Sequence, residues 1–316
     1  MTPELPRLEA EVKSIIRFPN PETKNWSGFN PSICRGGDGR LGMLVRSSNY
    51  VFDSNTKTVV LVEGGIILNK LFFCYINEET LEPEDIREIT EIRSPMPLRR
   101  GVEDARLYWR NGGWEFTGVV LESHTPLARL WTFSLDLETN SADFIEILNA
   151  PDPKKIEKNW MMPADRPSPY FDFLYNSKSV YKDGEILPID GAPDGQEWLR
   201  GGSQLLWDGD GYISINHKVK QVSKYVYNVN TFGMEYRHVR NYKHVFCKHD
   251  ERGKLIAMSD EFVFKEIGIE YAAGMAVVGD NYIISYGVWD VASAIAVIPI
   301  ERVRSMLRPA AASGSV

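Results

Sequence analysis

A long series of short apolar runs, separated by turn-forming residues, is the feature that most constrains the fold. The runs include residues 41–45, 71–76, 114–120, 212–215 and 282–286. Between them stand Gly-Gly-Asp-Gly at 36–39, Asn-Gly-Gly at 111–113 and Asp-Gly-Asp-Gly at 208–211. Short apolar runs bounded by such residues predict β-strands joined by tight turns. Many strands of this kind in one chain indicate an all-β sandwich, barrel or propeller.

A weakly repeated sequence pattern favours the propeller among these folds. A polar cluster precedes a hydrophobic hairpin five times, at Asn30-Pro31-Ser32-Ile33, Glu103-Asp104-Ala105-Arg106, Lys158-Asn159-Trp160, Arg200-Gly201-Gly202-Ser203 and Glu270-Tyr271-Ala272-Ala273-Gly274. A four-stranded blade needs about 40 to 50 residues, so five blades with some long loops fit a chain of 316 residues. Because the first strand of each blade lines the central channel, we expect a five-bladed β-propeller whose five clusters face one cavity.

Only two segments have the pattern of a helix. Residues 8–18 place Leu8, Val12, Ile15 and Ile16 on one stripe, and residues 301–307 form the second candidate. We therefore expect a helical N-terminal extension at 1–26 that packs on a propeller at 27–308. The small and polar stretch at 309–316 is expected to be a flexible tail.

Composition limits the partners and the compartment. The net charge of −7 argues against nonspecific nucleic-acid binding, which needs a basic surface. The three cysteines, Cys34, Cys74 and Cys247, form no closely spaced pair, which argues against a disulfide framework or a zinc site and favours a reducing cytoplasm. Residues 1–10 have no apolar core of a signal peptide, and no apolar run is long enough to span a bilayer. A homo-oligomer stays open.

The segment Glu103-Asp104-Ala105-Arg106 is the first candidate for chemistry. On a regular strand Asp104 and Arg106 share one face and Glu103 takes the other. A carboxylate beside a guanidinium is normally held ionised, whereas an acid catalyst needs a raised pKa supplied by other neighbours. The alternative is a surface turn with a salt bridge.

Basic and aromatic residues elsewhere suit an anionic sugar ligand. Arg46, Arg106, Lys158, Arg200 and His217 would together form a cationic pocket for inorganic phosphate or a sugar phosphate. Asp290 follows Tyr286 and Trp289, an arrangement found in sugar sites and also in ordinary loops. His217 and His244 are each open to a structural role. The sequence has no nucleotide-binding motif and no metal-ligand spacing, so we expect no cofactor and no metal.

Seven motifs together resemble glycoside hydrolase family 130. They are Asn30-Pro31-Ser32, Gly101-Val102-Glu103-Asp104-Ala105-Arg106, Glu157-Lys158-Asn159-Trp160-Met161, Arg200-Gly201-Gly202-Ser203-Gln204, Tyr242-Lys243-His244-Val245-Phe246, Ile269-Glu270-Tyr271-Ala272-Ala273-Gly274 and Ser285-Tyr286-Gly287-Val288-Trp289-Asp290. They are spread from about residue 27 to residue 308. The sequence departs from the family pattern at Ala105, where the family usually has proline, and at Met162, which precedes Pro163.

This resemblance implies a five-bladed propeller and an inverting phosphorylase or hydrolase of β-mannosides, with glycosyltransferase family 108 as a related group. Carried over by motif, Asp104 would be the general acid, and Asn30 and Asp290 would hold the sugar. The phosphate side would include Arg46, Lys158, Arg200 and His217. The remaining expected substrate-binding residues are Glu103, Arg106, Asn159, His244, Glu270 and Tyr271. A glycosyltransferase with another acceptor and a sugar-binding propeller without catalysis are the alternatives.

Overall fold

The computed structural model describes residues 7–8, 11–16, 26–53, 58–61, 65–121, 128–149, 158–164, 166–228, 233–265 and 267–310. The regular secondary structure of these segments is nearly all β, with one short helix, and the sheets form the five blades of a propeller ring. The fold expected from the sequence is therefore confirmed. The structure has no helix in these segments that is long and apolar enough to cross a membrane.

The five blades follow one another along the chain. Blade 1 contains β2 (Ser27–Arg35), β3 (Leu41–Ser48), β6 (Asn69–Ile76) and β7 (Pro83–Glu88), with the hairpin of β4 (Tyr50–Asp53) and β5 (Thr58–Leu61) inserted after β3. Blade 2 contains β9 (Glu103–Arg110), β10 (Gly113–Leu121), β11 (Ala128–Asp136) and β12 (Ser141–Ile147), with β8 (Glu91–Arg93) parallel to β12. Blade 3 contains β13 (Phe173–Asn176), β14 (Ser179–Lys182) and β15 (Glu185–Pro188).

The last two blades contain the remaining elements. Blade 4 contains β16 (Arg200–Gly201), β17 (Leu206–Trp207), β18 (Tyr212–Asn228), β19 (Gly233–His249), β20 (Leu255–Met258) and β24 (Arg308–Pro309). Blade 5 contains β21 (Glu270–Val278), β22 (Asn281–Val288), β23 (Ala292–Pro299) and β1 (Glu11–Ile16). The helix α1 (Ile300–Met306) follows β23 and confirms the C-terminal helix within one residue at each end.

The N-terminal helix expected over residues 8–18 is wrong, because this segment contains strand β1. It pairs antiparallel with β23, from Glu11 opposite Val297 to Ile16 opposite Ser293. Val12, Ile15 and Ile16 are β-branched, and such residues favour strands. The pairing also covers the edge that β23 would otherwise expose. A strand from the start of the sequence therefore completes the last blade.

The expected C-terminal tail is partly replaced by structure. Strand β24 pairs with β20, and Pro309 lies opposite Ala257. The rest of the expected tail, residues 311–316, lies outside the described residues.

Gln204 connects four of the blades at the centre of the ring. Its amide nitrogen donates hydrogen bonds to Ser32 Oγ at 2.9 Å, to the Ile33 carbonyl at 3.2 Å and to the Leu107 carbonyl. Its amide oxygen accepts from the backbone N–H of Met275 at 3.2 Å. The side chain is fully buried. Because these partners belong to β2, β9 and β21, one amide from blade 4 ties blades 1, 2 and 5 together.

Bulges interrupt the inner strands where the blades approach the axis. The register shifts between Phe29 and Ser32 in β2 and between Ala272 and Gly274 in β21. In β9 the shift lies opposite Thr117 and Val119 of β10. A bulge adds a residue on one strand and redirects its side chains. Residues Asn30 and Asp104 at these bulges have φ of 50° and 48°, a left-handed conformation that non-glycine residues adopt at a cost of about 1–3 kcal/mol.

Candidate functional site

A single polar cavity of about 490 Å³ lies where the inner strands converge. Blades 1, 2, 4 and 5 contribute to its lining, together with the segment that carries Lys158 and Asn159 and pairs with β13 of blade 3 through Met161. The lining consists of Asn30, Arg46, Tyr50, Ile67, Glu103, Asp104, Lys158, Asn159, Arg200, His217, Val219, Arg240, Tyr242, Ile269, Tyr271 and Asp290. Each polar cluster singled out in the sequence supplies at least one of these residues. The expected convergence of the five clusters on one cavity is therefore observed.

Asp104 is held in place by two hydrogen-bond donors. Its Oδ1 accepts from Arg46 Nη1 at 3.0 Å and from Asn30 Nδ2 at 3.1 Å. Burial by itself would raise the pKa of Asp104, but the positive charges of Arg46 and then Lys158 outweigh it and lower the pKa below its ordinary value. Asp104 is therefore a carboxylate at neutral pH, and its side chain is 19% exposed to the cavity.

Glu103 lines the same cavity as Asp104, which differs from the alternation expected on a regular strand. Its Oε1 lies 3.5 Å from Arg46 Nη2. Arg106, expected to share a face with Asp104, does not line the cavity. The physical reason is the left-handed conformation of Asp104 at the bulge of β9, which breaks the period of two. Two adjacent carboxylates consequently meet one guanidinium.

Arg46 is the buried cation at the centre of this group. Its Nε donates to Asn69 Oδ1 at 2.8 Å, and its guanidinium lies 5.0 Å from the centroid of the Phe29 ring. Burial alone would lower its pKa, but negative charge, that of Glu103 foremost, raises the pKa above the ordinary value. Arg46 thus stays charged, and it neutralises carboxylates that would otherwise repel one another.

Not all five residues expected to form a cationic pocket contribute a positive charge to the cavity. Lys158 and Arg200 are exposed and line the cavity. His217 also lines it, but burial, followed by the charges of neighbouring groups, lowers its pKa well below the ordinary value. His217 is therefore neutral at pH 7, and its ring stacks on Tyr242 with centroids 5.5 Å apart. Its Nδ1 is buried and has no hydrogen-bond partner within the described segments.

Arg106 supports the cavity from beneath. Its Nε donates to the Gly202 carbonyl at 2.7 Å, and its Nη2 donates to Asn159 Oδ1 at 3.0 Å and to the Tyr271 hydroxyl. The Tyr271 hydroxyl donates to the same Asn159 oxygen at 3.0 Å. Three residues expected at the site thus form one network, and Asn159 and Tyr271 from it reach the cavity.

Two further expected residues lie in the supporting structure instead of the cavity lining. The His244 ring is fully buried beside Phe262 and Phe264, and burial lowers its pKa to about 3. The Glu270 carboxylate is fully buried and accepts from the backbone N–H groups of Phe264 and Lys265 at 2.7 and 2.9 Å. Both hold blade 4 and blade 5 segments together, and neither contributes to the lining.

Several lining residues were not found by sequence reasoning as site residues. They are Tyr50, Ile67, Val219, Arg240, Tyr242 and Ile269. Tyr50 follows β3 and begins the inserted hairpin, while Val219 and Tyr242 pair opposite each other in β18 and β19. Tyr242 and Ile269 each belong to one of the motifs quoted above, and this was the available signal. Val219 and Arg240 bound a polar, Tyr-rich stretch of the sequence. For Tyr50 and Ile67, only the closure of the ring places them at the cavity.

Asp290 lines the cavity from the turn between β22 and β23. It is half-buried, and its φ is 52°. Burial, together with the charges of Asp104 and Glu103, raises its pKa to about 6, although Arg46 acts in the opposite direction. The cavity therefore contains two aspartates whose pKa values are shifted in opposite directions.

Gly287→Ala is expected to disturb this site, because the added Cβ meets both the side chain and the backbone of Asn30. A Cβ at position 287 would lie 2.1 Å from Asn30 Oδ1 and 2.8 Å from the Asn30 backbone nitrogen, so Asn30 has to move, and its hydrogen bond to Asp104 is disturbed. We expect at least a tenfold loss of catalytic or ligand-binding efficiency, since small displacements of positioning groups have effects of roughly this size. Gly113→Ala is the matched control, because a Cβ there meets no atom within 4 Å. Equal behaviour of the two variants would show that Asn30 is not a positioning group.

Comparison with known proteins places this geometry in a structural context. No family model matches the sequence, and no curated protein matches it. Among solved structures, a β-1,2-mannobiose phosphorylase from Listeria innocua aligns with a TM-score of 0.58 and 13% identity, covering 95% of this chain and 99% of that chain.

Two further solved structures align with this chain over most of its length. One represents mannoside phosphorylases and hydrolases of family GH130, with a TM-score of 0.55, 16% identity and coverage of 98% and 95% of the two chains. A GDP-Man-dependent mannosyltransferase from Leishmania mexicana aligns with a TM-score of 0.54 and 12% identity, covering 90% of this chain and 89% of that chain. The chain therefore has the five-bladed propeller fold shared by GH130 mannoside phosphorylases and related glycosyl hydrolases.

Proposed function

We propose that this protein is a carbohydrate-active enzyme that transfers a mannosyl-type sugar between a glycoside and phosphate. The observation that carries the proposal is the cavity itself, in which the Asp104 carboxylate shares one polar space with the exposed cations Lys158 and Arg200. Guanidinium and ammonium groups are good phosphate partners. The likeness to a β-1,2-mannobiose phosphorylase supports the sugar class.

The proposed reaction needs a nucleophile, a leaving oxygen and one proton transfer. In cleavage, a phosphate oxygen forms a bond to the anomeric carbon while the bond from that carbon to the glycosidic oxygen breaks. The glycosidic oxygen takes its proton from Asp104, and the proton that phosphate loses on forming the sugar phosphate restores the balance. Attack from the face opposite the leaving oxygen inverts the anomeric centre.

The protonation state of Asp104 favours the reverse direction as the starting point. Its carboxylate, held by Arg46 and Asn30, can accept a proton directly from an acceptor hydroxyl. That hydroxyl oxygen then bonds to the anomeric carbon of a sugar phosphate, and phosphate leaves. For cleavage, Asp104 has first to take up a proton against its lowered pKa. We therefore expect synthesis from a sugar phosphate to be the easier direction to observe at neutral pH.

A glycosyltransferase with another acceptor is the second candidate function. Strands β18 and β19 are each 17 residues long, and they continue past the blade as a two-stranded ribbon. Val219 and Arg240, at the base of this ribbon, line the cavity. A ribbon beside the cavity suits contacts with an acceptor other than a simple mannoside. Mass measurement of candidate acceptors after incubation with nucleotide sugars separates this function from the first.

Incubation with mannose 1-phosphate and a series of sugar acceptors tests the proposal. We expect release of inorganic phosphate together with a product whose mass has increased by one hexose unit. No phosphate release with any acceptor, combined with no phosphate-dependent cleavage of mannosides, would rule out the phosphorylase function. Retained sugar binding without any turnover would favour a binding module.

Arg200→Ala is expected to weaken the use of phosphate. We expect the KM for phosphate or sugar phosphate to rise by about tenfold or more, because a charge-assisted hydrogen bond contributes roughly 1.5–3 kcal/mol. Steady-state kinetics with varied phosphate measures the effect. Arg252→Ala is the matched control, since Arg252 is exposed and stacks on Tyr170 away from the cavity lining. A KM that is unchanged in Arg200→Ala would remove Arg200 from the phosphate side.

A further inference from the structure

The turn that presents Asp290 has an unusual backbone. Trp289 and Asp290 both have positive φ, 53° and 52°, and the Val291 N–H donates to the Val288 carbonyl at 3.1 Å. Tight turns with positive φ at both central residues usually contain Asn-Gly or similar pairs, because larger residues are strained there. Tryptophan at the first of these positions is therefore strained, whereas aspartate tolerates the left-handed conformation.

Contacts of Trp289 hold this turn in place. Its N–H donates to the Ile269 carbonyl at 2.7 Å. Its ring lies so close to Gly268 that a Cβ at that position would be 2.3 Å from the ring. The strained turn is thus fixed against blade 5, and Asp290 faces the cavity. Strain that is maintained at a cavity indicates a functional requirement for the residue presented there.

The two aspartates of the cavity differ in their hydrogen-bond partners. Asp104 Oδ1 accepts from Arg46 and Asn30, as described above. Within the described segments, no group donates a hydrogen bond to the Asp290 carboxyl and no cation lies within 4 Å of it. The charged and titratable groups that line the cavity together with Asp290 are Arg46, Tyr50, Glu103, Asp104, Lys158, Arg200, His217, Arg240, Tyr242 and Tyr271. A half-buried carboxyl without a donor, near two other carboxylates, favours its neutral form.

We propose that Asp290 binds the sugar as a neutral carboxylic acid, donating a hydrogen bond to a sugar oxygen, while Asp104 remains the carboxylate of the site. This inference rests on the proposed function, because it takes the occupant of the cavity to be a sugar. Two carboxyl groups in one cavity thus have different roles, because their surroundings favour different protonation states. The raised pKa of Asp290, about 6, agrees with this division.

The proposal predicts that sugar binding weakens as the pH rises. Ligand affinity falls in proportion to the fraction of protein in the binding-competent form, which here is the form with Asp290 protonated. For a pKa of about 6, this fraction falls about tenfold between pH 5 and pH 7. Affinity falls with rising pH because the raised pKa keeps the proton on Asp290 below about pH 6 and releases it above that pH.

Calorimetric titration with mannose between pH 5 and pH 8 tests the inference, because mannose does not ionise in this range. We expect the Kd of the wild type to rise about tenfold from pH 5 to pH 7. Asp290→Asn is expected to keep the low-pH affinity at every pH, because the amide retains an N–H donor. Asp290→Gly is expected to bind weakly throughout. Asparagine and glycine both tolerate positive φ, so both variants keep the turn.

Two outcomes would overturn the inference: a wild-type Kd that is constant with pH, or an Asp290→Asn variant that binds as weakly as Asp290→Gly. A ¹³C carboxyl titration of labelled aspartates provides a measurement without ligand, with the Asp290 signal assigned by its loss in Asp290→Asn. A midpoint near 6 supports the inference, and a midpoint at or below 4 contradicts it. No mannose binding at any pH, with a midpoint near 6, contradicts the mannosyl part of the proposed function and supports the neutral state of Asp290.

Discussion

Asp104→Asn is expected to lower kcat for phosphate release from mannose 1-phosphate by about 10²–10⁴-fold, the usual contribution of a positioned acid or base. The amide cannot accept the proton of the acceptor hydroxyl, and in cleavage it cannot supply one. Asparagine tolerates the φ of 48° at this position, and its oxygen can still accept from Arg46. The variant should therefore remain folded with an intact cavity, and the loss should appear in kcat more than in KM.

Glu103→Gln is the matched control for this prediction. Glu103 lines the same cavity and lies 3.5 Å from Arg46, and it also loses one negative charge in the variant. If the effect of Asp104→Asn came only from uncompensated charge on Arg46, both variants would lose activity to a similar degree. A kcat for Asp104→Asn within a factor of ten of the wild-type value would show that Asp104 does not exchange a proton with the substrate.

Gln204→Leu is expected to have the largest effect on stability. Leucine has nearly the same size as glutamine, but it leaves the Ile33 and Leu107 carbonyls and the Met275 N–H without their partner in the interior. Each buried polar group without a hydrogen bond costs about 1–3 kcal/mol. We expect the free energy of unfolding to fall by about 3–6 kcal/mol, measured by equilibrium denaturation in urea at constant m-value.

Gln196→Leu provides the comparison for Gln204→Leu. Gln196 is half-buried, and its side-chain oxygen has no hydrogen-bond partner within the described part of the chain. Its replacement should change the free energy of unfolding by less than about 1 kcal/mol. Similar losses for the two variants would contradict the view that the Gln204 amide holds four blades together.

Much of the fold is visible in local sequence patterns. Alternating apolar runs and glycine-rich turns predict the strands, and the polar clusters mark the inner strand of each blade. The helix at residues 300–306 is also predicted within one residue at each end. These features depend on neighbours within a few positions, which is why the sequence shows them. Strand β1 was mistaken for a helix because its spacing fits both periods, and only the uncovered edge of β23 decides between them.

The sequence by itself determined which residue types reach the centre: Asn30, Asp104, Lys158, Asn159 and Arg200 stand in clusters that a propeller has to bring together. Only the tertiary structure decided how they are oriented and which of them are charged. The bulge at Asp104 turns Glu103 into the cavity and Arg106 beneath it, burial makes His217 neutral, and a strained turn brings Asp290 into the cavity that Arg46 also lines. The bulges depend on how the strands of each blade pair. Burial and the electric field of distant charges depend on contacts between blades, and these contacts do not exist until the ring has closed.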